Sequence, residues 1–308
     1  MIVALSGGVG GAKLALGLSR VLPASELTVI ANTGDDFEHL GLSICPDIDT
    51  LTYALAGLDN QVQGWGRRDE TWSFMDSLKA LGGEDWFRLG DRDLAVHVER
   101  TRRLCSGEAL SQITSDFAAR LGIGARILPM SDEPVRTRVL SDGGWIDFQD
   151  YFVRQQCRPV VRALSFDGAP AARPAPGVTQ ALRNASAIVI CPSNPFISIE
   201  PILAVPGIRE AIEASGAPVV AVSPIIGGKA VKGPTAKMMA ELDMEATALG
   251  VAQRYGEMLH GYIVEHEDAA AVAGIAAQVT AAKTLMLSLE DREALARVVL
   301  EAADSLRR

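Results

Sequence analysis

Ile2-Val-Ala-Leu5, then Ser6-Gly-Gly-Val-Gly-Gly11, then Ala12-Lys-Leu-Ala15: the reading of this stretch decides the fold. Four apolar residues bounded by glycine predict a short strand buried on both faces. The glycines predict a turn over Ser6–Gly11. The pattern that follows predicts a helix over Ala12–Leu22, stopped by Pro23. A second apolar run, Glu26–Ala31, predicts the next strand. Strand, glycine turn, helix, strand is the first unit of a nucleotide-binding α/β fold, with a right-handed crossover between parallel strands.

The turn matches neither of the two commonest phosphate motifs. Lys13 is followed by Leu14, where a Walker A loop needs Ser or Thr, and Lys13 stands where GxGxxG needs its third glycine. Two readings remain. Glycine lets a helix and a strand pack closely. A helix N-terminus also offers free N–H groups to an anion. Four glycines and a lysine exceed the needs of a tight turn, so Gly8, Gly10, Gly11 and Lys13 are expected to bind phosphate.

Carboxylates follow. The second strand runs into Asn32-Thr-Gly-Asp-Asp36, and Asp47 and Asp49 precede a helix expected over Leu51–Leu58. Adjacent Asp35 and Asp36 cannot both face one way. One suits turn chemistry, and the other suits Mg²⁺, a hard cation that takes oxygen ligands. Asp49 or Thr50 would also serve as an N-cap.

Farther along, Leu58–Gly122 reads as a mainly helical insert. Its helices are expected over Thr71–Leu81, Leu94–Cys105 (apolar stripe Leu94, Val98, Thr101, Leu104) and Ala109–Leu121, with Asp91 or Asp93 as a cap. Arg88 or Arg92 is a possible substrate contact from this insert. Strands are expected at Ala125–Met130, Ala187–Cys191, Pro218–Val222, Gly261–Val264 and Lys283–Met286. Arg136–Leu140 and Trp145–Phe148 flank a hairpin turn. Phe166–Pro176 reads as an exposed loop. Helices are expected over Thr179–Asn184, Pro206–Ser215, Thr235–Leu242, Ala246–Leu259, Asp268–Ala277 and Leu289–Leu306. Two strand-end loops echo the first: Pro192-Ser-Asn-Pro195, and Ser223-Pro-Ile-Ile-Gly-Gly-Lys229 with Lys232 nearby. The expected architecture is one Rossmann-like α/β domain over 1–308. Its mostly parallel sheet has helices on both faces, an insert at about 58–122, and ligands outside the strand ends.

Composition narrows the function. Of 308 residues, 48% are hydrophobic and 22% charged, as in an ordinary globular protein. A formal charge of −9 argues against nucleic acid as a partner. No apolar run approaches the roughly 20 residues of a membrane span. The start is too short for a signal segment, and the four cysteines are scattered, so a cytoplasmic location is expected. The four histidines show no zinc spacing, and no GxSxG elbow is present.

Taken together, SGGVGGAKLA (6–15), NTGDDFEHLGLSICPDIDTLTYALAG (32–57), RRDETWSFMDSLKALGGEDWFRLGDRDLAVHVERTRRL (67–104), PMSDEP (129–134), ICPSNPFISIEPILAVPGIREAI (190–212) and SPIIGGKAVKGPTAKMM (223–239) resemble the 2-phospho-L-lactate transferases of coenzyme F420 biosynthesis. The resemblance runs in motif order over roughly the whole chain. It implies a guanosine diphospho-conjugate of a phospho-acid (phospholactate, phosphoenolpyruvate or phosphoglycerate) as donor, and the deazaflavin Fo as acceptor. The terminal ribityl hydroxyl of Fo would attack and GMP would leave, with Mg²⁺ as cofactor and a homodimer as the working unit. It implies the glycine turn and Lys13 on the diphosphate, and Asp35 and Asp49 as the metal and catalytic carboxylates. Asp49, Thr50 and Arg88 would meet Fo. Ser193, Asn194, Ser223, Gly227, Gly228 and Lys229 would lie on the guanosine side. Relatives can carry Arg in place of Lys13.

Two other readings compete. A nucleotide- or flavin-binding regulator would use the same fold without catalysis. An NAD(P)-dependent dehydrogenase ranks last, since the third glycine is missing and the second strand does not end in a lone ribose-binding acid.

Overall fold

The structure, a computed structural model, describes residues 1–61, 65–230 and 233–307. Lys232 lies outside them.

Seven parallel strands form the central sheet: β1 (Ile2–Ser6), β2 (Leu27–Ala31), β3 (Arg126–Pro129), β4 (Ala187–Ile190), β5 (Val219–Val222), β6 (Gly261–Val264) and β7 (Gln278–Ala281). Their spatial order is β7-β6-β5-β4-β1-β2-β3, and every neighbouring pair is parallel. Alternation along β1 sends Val3 and Leu5 into the core on one face, and Ile2 and Ala4 into the core on the other. Both faces are covered, so the strands read as unbroken apolar runs. The order reverses between β1 and β4. The loops after these two strands therefore flank the crevice where a doubly wound sheet binds its ligand.

The first helices are α1 (Gly8–Val21), α2 (Pro46–Leu55), α3 (Ser73–Ala80), α4 (Asp91–Cys105) and α5 (Leu110–Arg120). α1 starts at Gly8 rather than Ala12, so the glycine stretch is the first helical turn. α2 starts at Pro46, with proline at its first position and Cys45 as the preceding residue. Asp47 and Asp49 thus lie inside the first turn, where the helix dipole favours them, and neither Asp49 nor Thr50 is a cap. A satellite core of Ile44, Met75 and Leu89 seats α3 against the hairpin formed by Phe37–His39 and Leu42–Ile44.

The buried side of α4 is not the apolar stripe expected from its sequence. His97, Arg100 and Arg103 are buried, while Val98 faces solvent. Arg103 ties α4 to α5 through Glu108 and to Asp116 at 2.6 Å. The capping is crossed. Asp91 accepts from the backbone of Ser73 and Phe74 at the start of α3, whereas Glu70 accepts from Arg92 and Asp93 at the start of α4.

Three other segments differ from expectation. Ala163–Asp167 is a third strand beside the Arg136–Ser141/Gly144–Asp147 hairpin, and Ala169, Ala172 and Ala175 sink into the core. The 166–176 stretch is therefore anchored by these alanines, while Asp167, Gly168, Pro170, Ala171, Arg173 and Pro176 stay exposed as expected. The last sheet strand is Gln278–Ala281, not Lys283–Met286; at Thr284 and Leu285 the backbone N–H groups bond to the Glu265 carboxylate instead. His266–Val272 forms a 3₁₀ helix in place of the longer helix expected there. The C-terminal helix, Leu289–Leu306, starts on a Ser288/Asp291 capping box. Among the described residues no helix is long and apolar enough to cross a membrane.

Candidate functional site

The two loops at the reversal are locked together by Ser193. Its hydroxyl donates to the Gly7 carbonyl at 2.7 Å and accepts from the Gly7 N–H at 3.3 Å. That closeness accounts for most of the glycines. A Cβ at Gly10 would stand 2.2 Å from the Pro192 carbonyl oxygen, and one at Gly11 would stand 2.4 Å from Ser6 Oγ and 2.6 Å from Ser193 Oγ. Gly8 has room but adopts φ +65°. Close packing, the first of the two readings of this turn, thus explains Gly10 and Gly11. The same packing leaves Gly8, Val9 and Gly10 at the mouth of a cavity. Gly10→Ala is expected to destabilise the fold by about 2 kcal/mol, because a rigid carbonyl blocks the added methyl group; a denaturant titration measures it.

The carboxylates divide by environment. Asp47, buried in α2, accepts from Gly8 N–H at 2.7 Å and from Asn32 Nδ2 at 2.8 Å. Asn32 also donates to the Ile197 carbonyl and accepts from Gly34 N–H, so one amide joins three loops. Burial pushes the Asp47 carboxyl up to about 6 against these two bonds. Asp35 lines the cavity with Oδ1 unpartnered. Burial, then the charges of Asp47 and Asp36, push its carboxyl well above the usual carboxylate range. Asp36 turns away toward Cys45 and Arg136, and burial pushes it up to about 7. One of the adjacent pair therefore faces the cavity and the other the core.

Asp49 also lines the cavity, and its carboxylate is held by an arginine. Arg100, 1% exposed, grips both of its oxygens, with Nη1 at 3.1 Å from Oδ2. The carboxylates whose charges act on Asp35 are Asp47 and Asp36. His97 bridges outward, with Nδ1 3.7 Å from Asp49 and Nε2 3.3 Å from Asp93, which also accepts from the Tyr53 hydroxyl. Asp49, Asp93 and His97 have ligand atoms within 4.8 Å of one another. None of Asp93, His97 and Arg100 was singled out for the site from the sequence, although their 93, 97, 100 spacing puts them on one face of a helix.

The cavity is about 700 Å³. Lys13, Thr50, Ser193, Asn194, Ser223 and Arg88 all line it. Lys13 Nζ donates to the Met286 carbonyl at 2.9 Å. Asn194 spends Oδ1 on the N–H groups of Phe196 and Ile197, and Ser223 makes a local turn with Ile225. Gly227, Gly228 and Lys229 do not join them. Both glycines have positive φ and form the tip of a hairpin between Ile225–Ile226 and Lys229–Ala230, outside the cavity lining. A second Gly-Gly-Lys here is a hairpin turn, not a helix N-terminus. One wall is aromatic: Tyr53, Trp65, Trp86, Phe87, Phe148 and Phe152. Arg154 stacks over Trp86 at 4.7 Å, and Arg88 over Trp72 at 4.0 Å.

A crevice at the strand-order reversal thus joins a helix N-terminus, buried carboxylates and an aromatic wall. The family model described as 2-phospho-L-lactate transferase CofD matches residues 2–302. The chain belongs to the 2-phospho-L-lactate transferase family. Its role is phospho-acid transfer in the biosynthesis of coenzyme F420. Among relatives of this family, a phosphoenolpyruvate transferase of Kitasatospora aureofaciens is 46% identical over 99% of this chain and 98% of its own. Proteins of the same name from Streptomyces griseus and Mycolicibacterium smegmatis are 45% and 39% identical, covering 99% and 98% of this chain and 99% and 98% of their own. The crystal structure of BH3568 from Bacillus halodurans superposes with a TM-score of 0.64 over 97% of this chain and 98% of that one, at 15% identity. A second crystal structure of BH3568, described as a member of the upf0052 family, has a TM-score of 0.63 at 16% identity, over 97% and 99% of the two chains. At that identity the likeness concerns the fold alone.

Proposed function

We propose that this transferase moves a phosphoenolpyruvyl-type phospho-acid from its guanosine diphospho-conjugate to the terminal ribityl hydroxyl of Fo, releasing GMP. The observation that carries this reading is the meeting, in one cavity, of the α1 N-terminus, the Asp35–Asp47 pair and the aromatic wall. The donor's diphosphate takes the N–H groups of the first turn of α1 and the Lys13 ammonium. The guanosine lies toward Ser193, Asn194 and Ser223. The deazaflavin ring takes the aromatic wall, with Arg88 and Thr50 beside it.

A divalent cation fits at Asp35. A buried carboxylate with an unpartnered oxygen, repelled by a second one, is the donor set that Mg²⁺ neutralises. Asp35 and Asp47 would hold it, and it would supply charge neutralisation on the phosphates. Asp49, oriented by Arg100, accepts the hydrogen bond of the ribityl hydroxyl. As the new oxygen–phosphorus bond forms and the bond to GMP breaks, the hydroxyl proton passes to Asp49. The rest is positioning and electrostatics, which phosphoryl transfer chiefly needs.

The test mixes protein, Mg²⁺, Fo and guanylylated phosphoenolpyruvate. GMP release matched by a more anionic deazaflavin is expected, and excess EDTA should abolish it. Binding of GDP and Fo without turnover of any of the three donors would establish the regulator instead. Trp86→Ala is expected to raise the KM for Fo about 10-fold through lost stacking. Initial rates should show the donor KM unchanged.

A further inference from the structure

Beside the main cavity lies a chamber of about 70 Å³ between α1, α2 and the start of the C-terminal helix. It shares Val9, Lys13 and Thr50 with the main cavity and so opens on the first turns of α1. Its remaining polar lining is Asp59, Asn60, Gln61 and Arg292. Arg292 is only 3% exposed, and its Nε has no hydrogen-bond partner. The acids next to it in sequence are engaged elsewhere: Asp291 with Lys283 at 2.6 Å, and Glu293 with Arg297 at 3.1 Å. The backbone of Arg292 is pinned, because Gly17 of α1 packs against its carbonyl; a Cβ there would stand 2.1 Å from that oxygen. A cation buried without a counter-charge is strongly unfavourable unless an anion completes it. Among the described residues that line the chamber, Asp59 is the one carboxylate.

We infer that this chamber is the carboxylate subsite of the donor, read by Arg292 with Lys13. The inference rests on the transferase reading and names the part of the substrate that reading leaves unplaced. In phosphoenolpyruvate the carboxyl carbon is attached to the carbon that bears the phosphate oxygen. An acid whose phosphate sits on the first turn of α1 must therefore place its carboxylate within a few ångströms of that turn. The chamber opens there, and a guanidinium fork matches a planar carboxylate. Arg292 is then a specificity residue: it touches the acid and takes no part in bond making.

Calorimetry with two probes tests this without turnover. GDP lacks the acid, and guanylylated phosphoenolpyruvate carries it. Wild type is expected to bind the conjugate about 10-fold or more tighter than GDP. Arg292→Met should bind both alike while keeping wild-type affinity for GDP, which also reports an intact fold. Arg292→Lys should recover part of the difference. In turnover, wild type should prefer the free-acid donor over its carboxyl methyl ester by about 100-fold, and Arg292→Met should lose that preference mainly through donor KM. Conjugate and GDP binding equally to wild type, or an undiminished preference in Arg292→Met, overturns the subsite. Failure of transfer to Fo overturns the transferase reading instead, and the binding difference still decides the chamber.

Discussion

Asp35→Asn is expected to lower kcat/KM about 10³-fold while raising the melting temperature by roughly 2 °C. The two effects have one origin. Asp35 is buried at the cavity with an unpartnered Oδ1, and its charge is opposed by burial and by Asp47 and Asp36. In the ligand-free protein that arrangement is unfavourable, so a neutral isostere relieves it. In the loaded site proposed above the same charge would hold the cation, and the amide could not replace it. The sign with pH follows. A carboxyl whose folded value lies above its ordinary 3.8 favours the fold at low pH, and that contribution is lost as pH rises and the unfolded chain ionises first. The stability gap between Asp35→Asn and wild type should therefore vanish near pH 4 and grow toward neutrality. Thermal unfolding across that range measures it. A variant that is inactive and less stable than wild type at pH 7 would contradict this account.

Arg100→Met is expected to destabilise the protein by about 3–5 kcal/mol and to abolish transfer. Its guanidinium is buried, and the Asp49 carboxylate more than offsets the burial that works against the charge. Removing it strands Asp49 in a buried setting, with His97 Nδ1 3.7 Å away. The stability is expected to return largely in the double variant Arg100→Met/Asp49→Asn, because two neutral groups need no pairing; the activity is not. Asp49→Ala alone should lose both, since it strands Arg100. Denaturant unfolding of the two single variants and the double one gives the coupling energy directly. Additive losses would remove the pair from its assigned place.

Much of the site could be read along the chain because its parts are local. β1, the glycine turn and the carboxylates after β2 are each signalled by a few consecutive residues, and strand ends in a parallel sheet converge on one edge. Helix starts were less legible. Gly8 and Pro46 begin α1 and α2 earlier than their apolar patterns do, and so move Gly8–Gly11, Asp47 and Asp49 from loops into first helical turns. The stripe of α4 misled for a different reason. Hydrophobic periodicity finds apolar faces, whereas the face that α4 buries is His97, Arg100 and Arg103, each paired with acids.

The amino-acid sequence by itself determined the α/β class, the nucleotide-type opening unit, the family and the set of candidate carboxylates, because these depend on short-range pattern and on motif order. Only the tertiary structure decided what each group does. Gly10 and Gly11 are glycine because the Pro192 carbonyl and Ser193 press against them across the sheet reversal. Asp49 is gripped by an arginine 51 positions away, which leaves Asp47 to face Asp35. Gly227-Gly228-Lys229 turns a hairpin outside the cavity. The physical reason for the first two is that charge pairing and close approach act through space, over distances that residue order does not encode; for the third, the same tripeptide takes the turn that its own flanking strands impose.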